Sequence, residues 1–183
     1  GTVNGVPTCA LPILIYFVKS PKWLRWWYSD CCWEVDTEEK VLYLTFDDGP
    51  HPSATEFVLE QLKQYQAKAT FFCIGKNVDE NYQLVEKILA EGHAIGNHTY
   101  SHLNGWKTPD ADYLKDIRKA GELMDTSMFR PPYGRISRFQ LQQLAQQPYG
   151  LQTVMWTVLS GDFDKNISPQ KCLSNVKIGR AHV

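Results

Sequence analysis

The chain has 183 residues, 43% of them apolar and 21% charged, with a formal net charge of −1. That size and composition fit one globular domain with a real core and exclude a collagen-like or disordered chain. The near-neutral charge gives no electrostatic footprint for nucleic acid or an acidic membrane surface.

Both ends read as foreign. Thr8-Cys9-Ala10-Leu11-Pro12-Ile13 can be encoded by ACGTGTGCTCTTCCGATC, whose reverse complement in a shifted frame encodes Ile178 to Val183. That string resembles a common sequencing adapter. Residues 1–13 and 178–183 are therefore expected to be non-native read-through, with the native chain cut off near Lys177. The apolar run from Ala10 to Val18 is too short to span a bilayer. It also lacks a basic leader, so no signal peptide is read from it and the location defaults to the cytoplasm. The five cysteines, Cys9, Cys31, Cys32, Cys73 and Cys172, form no C-x-x-C pair and read as buried or incidental thiols, not a disulfide framework.

Residues 14–39 form an aromatic-rich lead-in with Trp23, Trp26, Trp27 and Trp33 and no clear period. Val41 to Phe46 is an apolar run of the kind that makes a strand buried on both faces. Asp47-Asp48-Gly49-Pro50 stops it with two adjacent carboxylates, which are costly at a strand end unless a substrate or metal pairs with them. Ser53-Ala-Thr-Glu56 has the form of a capping box and predicts a helix with Phe57, Val58, Leu62 and Tyr65 inward. Lys68 to Ile74 predicts the next strand. Asn77 predicts a helix start, with Tyr82, Val85, Ile88 and Leu89 inward and Gly92 as its stop. His93 reads as a packing residue, and Ala94-Ile95-Gly96 leads into Asn97-His98-Thr99-Tyr100-Ser101-His102.

Trp106, in the following loop, either stacks on a ligand or closes the fold. Thr108-Pro109 caps a helix carrying Leu114, Ile117, Ala120 and Leu123. Met128-Phe129 runs into Arg130-Pro131-Pro132-Tyr133-Gly134, and Ser137 to Gln146 is a fourth helix. Leu151 to Leu159 reads as a strand, and Ser168-Pro169 opens a last helix. Strands alternating with helices predict right-handed βαβ units, a parallel sheet and a barrel-like arrangement with one functional face.

Four polar clusters follow strands. His98 and His102, at i and i+4, can reach one metal ion from a single turn of chain. Asp48 would add a hard oxygen beside two imidazoles and leave coordination positions open, as a catalytic zinc-type site requires. Asp47 is then placed to act as a base, and Arg130 to pair with it and keep it ionised.

Together, TFDDGP (45–50), HTYSH (98–102), RPPYG (130–134) and WTVLSGDFD (156–164) resemble the polysaccharide deacetylase family, the NodB-homology or carbohydrate esterase 4 group. The resemblance runs in order over residues 40–177. It implies an α/β fold, a distorted (β/α) barrel of fewer than eight strands, here C-terminally truncated. It also implies a divalent metal, usually zinc, and removal of acetyl groups from N-acetylated sugars of a polysaccharide. By resemblance Asp47 is the general base, Asp48, His98 and His102 are the metal ligands, and Arg130 orients Asp47. The backbone N–H of Tyr133 would help hold the oxyanion, and Asp162 would position the catalytic acid. Leu159 and Phe163 depart from the family's D-x-x-D-W motif, and its L-x-x-H motif is absent; His182 is assigned no role. An O-acetyl-polysaccharide esterase and a non-catalytic carbohydrate-binding homologue remain the alternatives. Members of the family often act at the cell envelope.

Overall fold

The computed structural model describes residues 17–180, with side chains through Lys177. The expected read-through at 1–13 lies outside the described residues, as do 181–183, while the backbone of 178–180 continues the last helix. The chain divides into two compact units. The larger is Lys22–Thr157; the smaller joins the segment up to Pro21 with the one from Val158 onward.

In the larger unit the order is α1 (Lys22–Trp27), β1 (Leu44–Gly49), α2 (Pro52–Gln64), β2 (Ala69–Cys73), α3 (Gly75–Glu80) and α4 (Tyr82–Ala90). Then come β3 (Ala94–Asn97), α5 (Asp110–Gly121), β4 (Met128–Phe129), α6 (Arg138–Ala145) and β5 (Gln152–Thr153). The five strands are all parallel and lie in the order β1-β2-β3-β4-β5. A sequential order with no reversal is what repeated right-handed βα units lay down. The sheet is also rolled. Arg130, just after β4, donates to Thr45 and Asp47 on β1 and to the carbonyls of Val154 and Met155 just after β5. One side chain can meet both outer strands only if the sheet curves around it. This curvature agrees with the distorted barrel that the family resemblance implies.

The central strands carry the core. Phe71 and Cys73 of β2 and Ile95 of β3 are buried among Leu59 and Leu62 of α2 and Val85 and Ile88 of α4. Each fully buried aliphatic such as Leu59 or Ile88 contributes about 1.5–3 kcal/mol of transfer free energy. Tyr113 and Ile117 of α5, Phe129 of β4 and Leu144 of α6 form a second cluster. Gly96 is required where β3 passes β2, since a Cβ there would lie 2.4 Å from the Phe72 ring. The four described cysteines are free thiols, and burial pushes those of Cys31 and Cys73 up to about 12, which leaves both unreactive.

Several local expectations need correction. Val41, Leu42 and Tyr43 precede β1 and are exposed, because among the described residues β1 pairs with β2 alone and is not buried on both faces. The helix after it starts at His51-Pro52, with Pro at the first helical positions, and not at the Ser53/Glu56 box. Its buried face is Thr55, Leu59 and Leu62, so Phe57 and Tyr65 face outward. The single helix expected from Asn77 is two, interrupted at Asn81, with Val85 and Ile88 inward but Tyr82 and Leu89 exposed. The strand expected over 151–159 is only Gln152–Thr153. The Ser137 start holds, as a complete capping box with Gln140.

In the smaller unit, Lys19 bridges Val158 in antiparallel fashion, and α7 (Pro169–Arg180) follows. Asn175 of α7 is buried and donates to the Ser160 carbonyl at 2.8 Å. No helix among the described residues is long and apolar enough to cross a membrane.

Candidate active site

The two adjacent carboxylates are separated by a bulge. β1 pairs Asp47 with Phe72 and Gly49 with Cys73, leaving Asp48 as the extra residue with φ of 68°. A bulge turns a side chain that the pleat alone would have sent elsewhere. Asp47 therefore faces Arg130, and Asp48 faces the histidines. Asn77 of α3 donates to the Asp48 carbonyl at 2.7 Å and holds the bulge in place.

His98 and His102 come from the loop that follows β3. Asp48 Oδ1 lies 3.0 Å from His102 Nε2 and 3.4 Å from His98 Nε2. Hydrogen bonds from His102 and His98 hold the Asp48 carboxyl well below the usual carboxylate range. His98 Nδ1 lies 2.7 Å from the Arg130 carbonyl oxygen, which can only accept. That nitrogen must then carry the proton, so a neutral His98 ring offers its Nε2 lone pair to a metal ion, and only the doubly protonated ring can donate from Nε2 to Asp48. The donor set is one carboxylate oxygen and two imidazole nitrogens, all within 4.8 Å of one another. Hard oxygen plus borderline nitrogen donors fit a divalent metal ion, so the residues present can hold one. The expected ligands Asp48, His98 and His102 are thus brought together.

Arg130 and Asp47 form the floor. The Arg130 side chain is 3% exposed, against 33% for Asp47 and 64% for Asp48. Arg130 Nη1 donates to Asp47 Oδ1 at 2.8 Å and to Thr45 Oγ1 at 2.7 Å. Burial pulls the guanidinium below its ordinary value, and the Asp47 carboxylate opposes that shift. The guanidinium also lies 4.0 Å from the centroid of the buried Phe72 ring, the ring that Gly96 makes room for.

Tyr133 follows in the Pro-Pro turn, with φ of 59° and its ring edge-on to His102 at 4.6 Å between centroids. Five non-glycine residues in the described chain have positive φ, and four of them, Asp48, Thr99, His102 and Tyr133, lie in these loops. Strained backbone of that kind persists only where the surroundings over-determine it, and it concentrates at functional sites. Asp162, also expected in the site, belongs to the smaller unit, where it is exposed and accepts from Ser160 Oγ at 2.5 Å. His51 caps α2, with its Nδ1 3.2 Å from Ser53 Oγ. His93 is buried edge-on against Phe71, a packing role as expected.

The sequence did not point to the residues that hold the histidine loop. Asp116 of α5 accepts from the backbone N–H groups of Tyr100 and Ser101, each at 2.8 Å, and from Ser101 Oγ at 2.9 Å. Both bonded residues lie between the two histidines. Asn97 accepts from Thr99 N at 2.8 Å and donates to the Ile117 carbonyl at 2.9 Å. Fourteen positions separate Asp116 from His102, and no local pattern links them. Asp116→Ala is expected to weaken metal binding about 10–100-fold, the usual effect of losing a group that orients ligands, measured by competition with a chromophoric chelator.

The chain is similar to known proteins over most of its length. A peptidoglycan-N-acetylglucosamine deacetylase of Bacillus cereus is 42% identical over 130 residues, covering 68% of this chain and 60% of that protein. A chitooligosaccharide deacetylase of Azorhizobium caulinodans is 34% identical over 137 residues, covering 71% of this chain and 64% of that protein. The chain thus spans about 60% of the length of these curated relatives. Among solved structures, a peptidoglycan N-acetylglucosamine deacetylase in complex with 4-naphthalen-1-yl-N-oxidanyl-benzamide superimposes with a TM-score of 0.77 at 34% identity. That match covers 86% of this chain and 75% of the other. The polysaccharide deacetylase family model matches residues 34–152, the span that holds Asp47, Asp48, both histidines, Arg130 and Tyr133. The chain belongs to the polysaccharide deacetylase family.

Proposed function

We propose that the protein is a zinc-dependent hydrolase that removes acetyl groups from N-acetylated sugars of a peptidoglycan- or chitin-like polysaccharide. The observation that carries this reading is the convergence of Asp48, His98 and His102 beside an Asp47 carboxylate held by a buried arginine. The names of the relatives, which specify N-acetylglucosamine and chitooligosaccharide deacetylation, favour the amide over an O-acetyl ester.

In this reading Asp48, His98 and His102 hold the zinc ion, which when bound supplies Lewis acidity toward a water and the acetamide carbonyl. Asp47 takes the proton from the attacking water. Arg130 holds Asp47 aimed, because its own guanidinium is fixed by Thr45, Val154 and Met155. The backbone N–H of Tyr133 donates to the oxyanion as the carbonyl carbon becomes tetrahedral. The C–N bond then breaks, acetate forms and the amine leaves with a proton. The family resemblance assigns that proton's donor to a histidine of an L-x-x-H strand and its positioning to Asp162.

The test is acetate release from an N-acetylglucosamine oligomer by the zinc-loaded protein. Chelation should abolish it and zinc should restore it. His98→Ala should lose both the bound metal, measured by elemental analysis after dialysis, and the activity. Acetate release that survives chelation and His98→Ala would overturn the reading.

A further inference from the structure

We propose that Tyr133, Trp106 and Trp27 form a stacking track that binds a polysaccharide strand leading away from the metal site. This rests on the deacetylase reading for what enters at Tyr133. All three rings lie in the larger unit and are exposed, Tyr133 at 61%, Trp106 at 57% and Trp27 at 52%. Large aromatic surface left open and gathered in one place marks a binding surface more often than it marks packing.

One short segment, Tyr133 to Arg138, organises the track. Tyr133 stands edge-on to the ligand His102. Two residues on, the Arg135 guanidinium lies 4.2 Å from the centroid of the Trp106 ring. The Trp106 indole N–H donates to the Ile136 carbonyl at 2.9 Å. The Tyr28 hydroxyl donates to that same carbonyl at 3.2 Å, tying the end of α1 to the segment. Arg138 then lies 4.7 Å from the centroid of the Trp27 ring and donates to the Trp27 carbonyl at 2.8 Å. Fully extended, the five steps from Tyr133 to Arg138 span at most roughly 18 Å. The anchor points of the three rings therefore lie within reach of one short oligosaccharide.

The arrangement matches what a glycan asks for. A pyranose ring presents a C–H face, which packs on an aromatic face, and a rim of hydroxyls, which need polar partners at the ring edge. An arginine covers one face of each indole, so the exposed area belongs to the remainder of the ring. The guanidinium groups also offer donors beside it. Because the rings are already pinned, little side-chain entropy remains to be lost when a ligand settles on them. Trp26, exposed as well and tilted at 57° to Trp27 with centroids 6.4 Å apart, adds to the aromatic surface at Trp27.

The experiment measures binding apart from catalysis. The zinc-loaded protein is titrated with the N-acetylglucosamine pentamer and with the monomer while tryptophan fluorescence is followed, and kcat/KM is measured on pentamer and dimer. The pentamer is expected to quench fluorescence at concentrations where the monomer does not. Trp106→Ala and Trp27→Ala should each weaken pentamer binding about tenfold, the size of one good aromatic contact. Each should also lower kcat/KM on the pentamer by more than on the dimer. Trp106→Phe, which keeps a ring but loses the bond to Ile136, should recover most of the affinity. A Phe variant as weak as Ala would show that Trp106 acts only as a loop anchor and would overturn the track. If Trp106→Ala fails to fold, Trp27→Ala at the exposed end of α1 carries the same test. Oligomer binding without acetate release would keep the track and sink the deacetylase reading. Acetate release and binding that ignore both alanine variants would do the reverse. Binding to phosphatidylglycerol vesicles that the two variants abolish, with oligomer binding unchanged, would assign the rings to a membrane surface and overturn the proposal.

Discussion

Asp47→Asn is expected to lower turnover by a factor on the order of 10²–10⁴, the usual size of general acid–base catalysis, while bound metal stays near the wild-type level. The substitution is close to isosteric. Its amide oxygen can still accept from Arg130 Nη1, which now donates to Asp47 Oδ1 at 2.8 Å, so the floor of the site should keep its shape. What disappears is the only function an amide cannot supply, uptake of a proton. Asp48→Asn should behave differently. Asp48 faces both Nε2 atoms across the bulge, so its variant should lose metal first and activity as a consequence. Elemental analysis of the two purified variants beside their acetate-release rates separates the roles. If Asp47→Asn strips the metal and Asp48→Asn retains it, the assignments of base and ligand are reversed.

That the two neighbours have different partners was legible as chemistry and hidden as geometry. Two carboxylates closing an apolar strand, and two histidines one turn of chain apart, announce a metal and a base by residue type alone. The bulge at Asp48 depends on how β1 registers against β2, which no local pattern encodes. The strand β2 was readable because neighbours on both sides force a continuous apolar run. The start of β1 misled for the complementary reason. Val41 to Tyr43 have the same character but lie outside the paired residues of β1, and they are exposed. Helix faces were readable to within one position. In α2 the inward set begins at Thr55 because the cap is His51-Pro52, and moving the start moves the face. Asp116 was unreadable altogether, since its worth lies in facing the loop of Tyr100 and Ser101 from another element.

Arg130→Met is expected to destabilise the protein strongly as well as to inactivate it, and the two effects have one cause. The guanidinium is almost wholly buried and satisfies Asp47, Thr45 and the carbonyls of Val154 and Met155. Methionine has a similar reach and fills the space over Phe72, so the loss is chiefly polar. Two carbonyls lose a charged donor, and a carboxylate loses its counter-ion. Removing one partner of a buried ion pair typically costs about 3–5 kcal/mol. The lower part of that range applies here, because Asp47 is 33% exposed and water can screen it. For a domain of this size such a loss lowers the melting temperature by roughly 10 °C. Arg130→Lys should recover the charge but not the fork, since an ammonium cannot reach Asp47 on one side and Met155 on the other at once. Its melting temperature should fall between those of the wild type and Arg130→Met, with metal still bound through His98, whose bond to residue 130 runs to the backbone carbonyl and survives both substitutions. Thermal melts with and without zinc test this. An Arg130→Met protein that melts within a degree or two of wild type would mean that the arginine positions Asp47 without holding the rolled sheet together.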